Sequence, residues 1–62
     1  MYTVWGHEHQ DFKVDFETFT TLAAAKRYAV DTCRMYPDYS CVTVTHKGRT
    51  VYEIAPEDVR GN

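Results

Sequence analysis

Residues 7–11 hold the side chains that most often bind metal ions. His7 and His9 are two residues apart, so in an extended segment both imidazoles would lie on one side and could reach one ion. Asp11 follows them, and His46 is the third histidine of the chain. Structural zinc takes four ligands, and catalytic zinc usually takes three from the protein. A polar hairpin loop therefore explains this segment better, and His7 and His9 are kept as weak metal candidates.

The other reactive side chains form no catalytic arrangement. Cys33 and Cys41 are not a C-x-x-C pair, and a cysteine nucleophile would need a base held beside its thiol. No serine stands in a nucleophile-elbow motif, and no glycine-rich loop is present to hold a phosphate. We therefore predict that the protein is not an enzyme and binds no cofactor. With two cysteines and no recognisable export signal, we expect free thiols in the cytoplasm.

Length and charge limit the possible partners. The 62 residues are enough for a single domain, residues 1–62, and the formal net charge is −2. Proteins that bind a phosphate backbone need a surplus of lysine and arginine, which this chain lacks. No apolar run approaches the roughly 20 residues that cross a membrane. Composition therefore argues against a phosphate backbone and a membrane, and otherwise leaves the partner open.

Alternating apolar and polar residues predict a first hairpin, with strands at residues 2–7 and 12–17. A helix should follow, with Thr20 as N-cap and strong helix formers at residues 21–27. Pro37 should end it, because proline disfavours helical geometry in the preceding residue. Pro56, followed by two acids, is typical of one further helical turn. The inward stripe of the main helix is predicted to be Leu22, Ala25, Ala29, Cys33 and Tyr36.

Residues 40–45 and 49–54 predict a second hairpin, whose register depends on its loop. A loop of two residues, Lys47 and Gly48, would place Glu53 on the same face as Val42. A loop of three residues that begins at His46 leaves Glu53 in solvent, and we prefer it. In that register Val44 pairs with Thr50 and Val42 with Tyr52, and the shared apolar face consists of Val42, Val44, Tyr52 and Ile54.

These elements predict an α+β domain of ββαββ order, in which one helix packs on one face of a four-stranded antiparallel sheet. The other face would be open, with Trp5 on it either as a contact residue or packed against a loop. Buried aromatic anchors with a polar surround are typical of binding hot spots. Because acids would form the rim, we expect a partner with a basic surface. The predicted protein-binding residues are Trp5, Asp15, Glu17, Arg49, Val51 and Glu53.

The helix flank, the strand edges and the ring of Trp5 each suggest a further kind of contact. Tyr28 and Met35, on one flank of the helix, form either a core edge, which we prefer, or with Asp31 a secondary contact strip. The strand edges carry few blocking features beyond Lys13 and Pro56, so a homodimer through these edges is possible. The alternative function is binding of single-stranded nucleic acid, with bases stacked on Trp5 and nearby tyrosines.

Two segments, residues 19–29 (FTTLAAAKRYA) and 48–54 (GRTVYEI), resemble those of small orphan proteins from bacteriophages and prophages. The resemblance covers about half of the chain and includes no motif of a characterised family. It implies a role common among such proteins, which is to bind and block a host protein, including host defence machinery such as CRISPR effectors. It assigns no functional residue.

Overall fold

The structure, a computed structural model, describes residues 1–9 and 12–60, with the backbone alone described at positions 9, 12–16 and 60. Its four strands form one antiparallel sheet in the order β2-β1-β3-β4. This confirms the predicted α+β class and the four-stranded antiparallel sheet. The elements along the chain are β1 (Tyr2–His9), β2 (Phe12–Phe19), α1 (Leu22–Met35), β3 (Cys41–His46), β4 (Arg49–Ile54) and α2 (Pro56–Arg60).

The core lies between the sheet and α1. Ala25 and Ala29 are fully buried, and their small side chains let the helix lie close to the strands. Burying a valine stabilises the fold by roughly 1.5–3 kcal/mol, and the sheet supplies three such residues. The short helix α2 packs against α1, so both helices lie on the same side of the sheet. The buried core cluster consists of Val4, Ala25, Ala29, Cys33, Val42 and Val44, and Pro56 at the start of α2 is buried as well.

Helix α1 begins one residue later than predicted. The N-cap is Thr21, whose backbone is extended (φ −126°, ψ 151°) and whose hydroxyl accepts a hydrogen bond from the amide of Ala24 at 3.2 Å. The prediction of Thr20 as N-cap is therefore wrong. The helix stops at its C-cap Tyr36, immediately before Pro37, as predicted.

Within the described residues, no helix is long and apolar enough to cross a membrane.

The turn between β3 and β4 contains two residues instead of the predicted three. Lys47 and Gly48 have φ angles of 54° and 80°, and a two-residue turn with both φ values positive is typical of type I′. His46 stands opposite Arg49 as the last pair of the ladder. The prediction that His46 belongs to the loop is therefore wrong.

A β-bulge at Val51 compensates for the shorter turn. Thr45 stands opposite Thr50, but Val44 stands opposite Tyr52, so Val51 is an extra residue on β4. The predicted pairs of Val44 with Thr50 and of Val42 with Tyr52 are therefore both wrong. The bulge nevertheless produces the predicted apolar face, because Val42 stands opposite Ile54 and Val44 opposite Tyr52.

Both edge strands contain a bulge. In β2 the register skips position 16, and in β4 it skips Val51. Bulges twist an edge strand and hinder pairing with a second chain. The edges therefore carry more blocking features than Lys13 and Pro56 alone, and the homodimer through the strand edges stays a prediction.

Candidate functional site

The side of the sheet opposite the helices carries an ordered row of side chains. Trp5 and Thr45 lie there, because their neighbours Val4 and Val44 are buried on the helix side. Neither helix packs on this side. We call this side the open face, and its described side chains are Thr3, Trp5, His7, Thr18, Cys41, Thr43, Thr45, Thr50 and Glu53.

Trp5 is fixed in one orientation on the open face. It stands opposite Thr43 in β3, and its indole Nε1–H donates a hydrogen bond to Thr45 Oγ1 at 2.8 Å. The side chain is half-buried although no helix covers it. Trp5 is thus neither a core residue nor a freely rotating ring. A ring that is already oriented loses less conformational entropy when a partner binds it.

A second ring from β1 is held in the same way. The Nε2 atom of His7 lies 3.0 Å from Thr43 Oγ1, and Thr43 is only 8% exposed. Thr43 and Thr45 therefore each bind a ring nitrogen of the neighbouring strand. These two contacts join β1 to β3 through side chains as well as through the backbone.

Cys41 and Glu53 interact at one end of the open face. Partial burial raises the pKa of the Cys41 thiol, and the negative charge of Glu53 and a hydrogen bond from the thiol to its carboxylate raise this pKa further. A raised pKa keeps the thiol protonated at neutral pH, whereas a nucleophilic cysteine needs a lowered one. Cys41 lies on the open face opposite His7, and Glu53 is exposed to solvent, as predicted.

Two predicted binding residues do not belong to the open face. Glu17 stands opposite the buried Val4, because the bulge at position 16 shifts the register of β2. Arg49 stands opposite His46, whose ring stacks on Tyr2 at the helix side, with a centroid distance of 4.2 Å. The bulges on the two edge strands therefore remove Glu17 and Arg49 from the predicted surface.

The remaining predicted residues keep their positions. Trp5 and Glu53 are on the open face, and Asp15 has its register position opposite Trp5. Val51 is 41% exposed at the bulge of the edge strand β4. Nothing in this geometry contradicts a binding role for these four residues, and that role stays a prediction.

The metal candidates are separated by the fold. His7 stands opposite Lys13 and His9 opposite Phe12, which are adjacent residues, so Glu8 is an extra residue and the expected alternation is interrupted. His46 is on the other side of the sheet, where its Nδ1 lies 2.9 Å from the carbonyl oxygen of Met1. Within the described part of the chain, no group of three or more His, Cys, Asp or Glu residues could hold an ion. Asp11 lies outside the described residues.

The positions of the tyrosines weaken the nucleic-acid alternative, because four of the five pack against the core and the fifth, Tyr36, is the C-cap of α1. Tyr2 and Tyr52 are on the helix side, where the Nζ atom of Lys26 lies 5.1 Å from the centre of the Tyr52 ring. Tyr28 lies on α1, and the last two, Tyr36 and Tyr39, flank Pro37 after that helix. None of these positions supports a stacking platform of tyrosines beside Trp5, and the nucleic-acid alternative stays a prediction.

The helix flank with Tyr28, Asp31 and Met35 is divided between core and solvent. The ring of Tyr28 packs on Phe19, with a centroid distance of 5.1 Å and an interplanar angle of 50°. Tyr28 therefore belongs to the core edge, which was the preferred interpretation. Asp31 is exposed, and Met35 is 69% exposed at the end of the helix.

Cys33 is a core residue, as its position on the inward stripe predicts. Its Sγ lies 3.7 Å from the carbonyl oxygen of Ile54. Burial raises the pKa of its thiol to about 11, with smaller contributions from Asp58 and Cys41. Neither Cys33 nor Cys41 forms a disulfide.

One further surface, next to the exposed Met35, was not predicted from the sequence. Tyr36 and Tyr39 stack on each other, with a centroid distance of 5.1 Å and an interplanar angle of 13°. Pro37 was interpreted only as a helix stop. A tyrosine on each side of a Pro-Asp pair was the available signal, because that pair favours a turn.

Comparison with known proteins yields no relative that could assign this site. No protein-family model matches the chain, and searches of curated proteins and of solved structures found no match. The function must therefore be argued from the geometry of the chain itself.

Proposed function

We propose that this chain is a small protein-binding module that docks its partner on the open face. The observation that carries the proposal is the half-buried indole of Trp5, which Thr45 orients on a sheet face that neither helix covers. Tryptophan is among the residues most enriched at binding hot spots, particularly where near-neutral polar contacts surround it. The threonines of β3 supply such a surround.

Charge favours a partner with a basic surface. Glu53 is exposed on the open face, where it stands opposite Thr43, and Asp15 has its register position opposite Trp5. The chain as a whole carries a net charge of −2. Complementary charges at the rim of an interface increase the rate of association and select against wrong partners. Val51, 41% exposed on the adjacent edge, adds apolar area to the same interface.

The narrower role is that of an inhibitor of phage type, which binds a host protein and blocks it in the cytoplasm. The loose resemblance of residues 19–29 and 48–54 to small phage proteins supports it, as does the small size of the domain. The two free thiols fit a reducing compartment. Single-stranded nucleic acid is a weaker candidate, because exposed Glu53 would repel phosphate and no tyrosine accompanies Trp5.

The test is capture of partners from a nuclease-treated bacterial lysate on immobilised wild-type protein, followed by binding measurements with the purified captured protein. Trp5→Ala removes the anchor, and Met35→Ala is the matched control, because Met35 is exposed away from the open face. We expect Trp5→Ala to weaken binding by roughly 30-fold or more, which corresponds to a hot spot of about 2 kcal/mol. Met35→Ala should leave the affinity for this partner unchanged.

A second variant tests the charge of the partner. Glu53→Lys should slow association and remove part of its dependence on salt. Circular dichroism and thermal unfolding establish that each variant is folded. Binding that survives Trp5→Ala in a folded protein would refute the site, and capture that disappears after nuclease treatment would favour nucleic acid instead.

A further inference from the structure

The loop between α1 and β3 forms a concave surface that shares no residue with the open face. The amide of Tyr39 donates a hydrogen bond to the carbonyl oxygen of Tyr36 at 3.2 Å, which closes a turn around Pro37 and Asp38. This turn places the two tyrosine rings in their stacked arrangement. We call the resulting cavity, of about 410 Å³, the tyrosine groove, and it is lined by Glu8, Met35, Tyr36, Pro37, Asp38 and Tyr39.

The groove is held rigidly against the sheet. The amide of Ser40 donates to the carbonyl oxygen of His7 at 2.7 Å, and the Ser40 hydroxyl lies 3.5 Å from the carbonyl oxygen of Glu8. On the other side, the amide of Tyr36 donates to Thr32 of the helix at 2.9 Å. Both ends of the loop are thus fixed, and a ligand would not have to order it.

The lining combines exposed apolar groups with negative charge. Met35 is 69% exposed and Tyr36 is 40% exposed. Methionine and tyrosine are both enriched at protein interfaces. Glu8 and Asp38 bring carboxylates to the same groove. The pKa of the Tyr39 hydroxyl is raised, first by its partial burial and then by the negative charge of Glu8.

Negative charge continues beyond Pro37. An adjoining hollow of about 200 Å³ shares Pro37 and Tyr39 with the groove and is also lined by Glu57. Arg34 lines a third hollow on the helix side of Pro37, together with Val59. A ligand lying across Pro37 would therefore meet the acids Glu8 and Asp38 in the groove, and Glu57 and Arg34 in the two hollows that adjoin Pro37.

We propose that the tyrosine groove binds an extended, proline-rich segment of a partner protein that carries an arginine. Proline-rich segments dock in grooves lined by aromatic rings, because their preformed helix loses little entropy on binding. The rings of Tyr36 and Tyr39 supply such a lining, and a guanidinium would pair with Glu8 or Asp38. This site uses none of the residues of the open face, so it stands independently of the proposed function.

The experiment is a titration of the ¹⁵N-labelled full chain with a short synthetic peptide, capped at both ends, rich in proline and ending in one arginine. We expect saturable shifts of the amides of Met35, Tyr36, Asp38, Tyr39 and Ser40, with the open face unaffected. Tyr36→Ala should weaken binding by about tenfold or more, as loss of an aromatic anchor does. Trp5→Ala should leave the affinity for the peptide unchanged.

Charge is tested at Met35, where substitution disturbs little packing because the side chain is 69% exposed. Met35→Lys should bind the peptide several-fold more weakly than Met35→Glu, and a peptide with glutamate in place of arginine should reverse that order. Thermal unfolding establishes that both variants are folded. The proposal is overturned by an absence of saturable shifts at millimolar peptide, by shifts at Trp5 and Thr43 instead, or by equal affinities of the two Met35 variants.

Discussion

The open face and the tyrosine groove are both ordered in the free protein, but by different means. On the open face, Trp5 donates to Thr45, a residue 40 positions away in the sequence. In the groove, a single turn brings together Tyr36 and Tyr39, which are three residues apart. The first surface therefore depends on the pairing of β1 with β3, and the second mainly on a local turn, which the amide of Ser40 attaches to β1. Changes in the sheet and changes in the loop should separate the two.

The largest effect is expected in the core beneath the open face. Val44 is fully buried, and Val44→Ala should lower the free energy of unfolding by about 2 kcal/mol through lost burial and a small cavity. The matched control is Val51→Ala on β4, since Val51 is 41% exposed and should change stability by less than about 0.5 kcal/mol. Urea denaturation followed by circular dichroism measures both, and equal losses would contradict the assigned register.

The N-cap of α1 lies away from both surfaces and should affect stability alone. Thr21→Ala removes the acceptor for the amide of Ala24 and should lower the free energy of unfolding by about 1 kcal/mol. Thr20→Ala, at the neighbouring exposed position, should be close to neutral. Thermal unfolding of the two variants shows which threonine caps the helix. A larger loss of stability in Thr20→Ala than in Thr21→Ala would identify Thr20 as the N-cap.

Removing the hydrogen bond between Trp5 and Thr45 should have a smaller effect on stability and should change the open face without changing the groove. Thr45→Val removes the acceptor of the Trp5 indole while keeping a similar shape, and should cost about 0.5–1 kcal/mol. The indole N–H resonance of Trp5 should shift, whereas the amides of Tyr36 and Tyr39 should not. Thr50→Val, an exposed threonine opposite Thr45, is the control. An indole N–H resonance of Trp5 that does not shift in Thr45→Val would contradict the hydrogen bond.

The last prediction concerns the dependence of stability on pH above neutral, which comes from the buried thiol of Cys33. Its pKa is raised from 9.0 to about 11 by burial, so the unfolded chain releases this proton at a lower pH than the folded protein does. The contribution of Cys33 to stability is therefore complete below pH 9 and is lost as the pH rises toward 11. Urea midpoints across this range should fall more steeply for wild type than for Cys33→Ala. Parallel curves would contradict the burial of the thiol.

The alternation of the strands and the propensity of the helix were sufficient to predict the class of fold. They did not predict the surfaces, because single extra residues decide them. One bulge at position 16 takes Glu17 off the open face, and another at Val51 restores the apolar face that a shorter turn would have inverted. A bulged strand and a regular strand can share the same composition, so pattern alone does not distinguish them.

The candidate site was predicted only where it depended on a regular strand. Trp5 and Glu53 were placed correctly, because β1 near Trp5 and the second half of β4 follow simple alternation. The tyrosine groove escaped prediction, because it needs the stacking of Tyr36 on Tyr39 and the bond of Ser40 to β1. Such contacts join a local turn to a distant strand, which spacing along the chain does not report.

The central claim is that a protein partner docks on the open face through Trp5. The most direct measurement follows the indole N–H and backbone amide resonances of the ¹⁵N-labelled chain as the captured partner is added. The account predicts that the Trp5 indole and the amides of Thr43, Thr45 and Glu53 shift or broaden first. Changes confined to the amides from Met35 to Ser40, with the Trp5 indole unmoved at saturation, would contradict it.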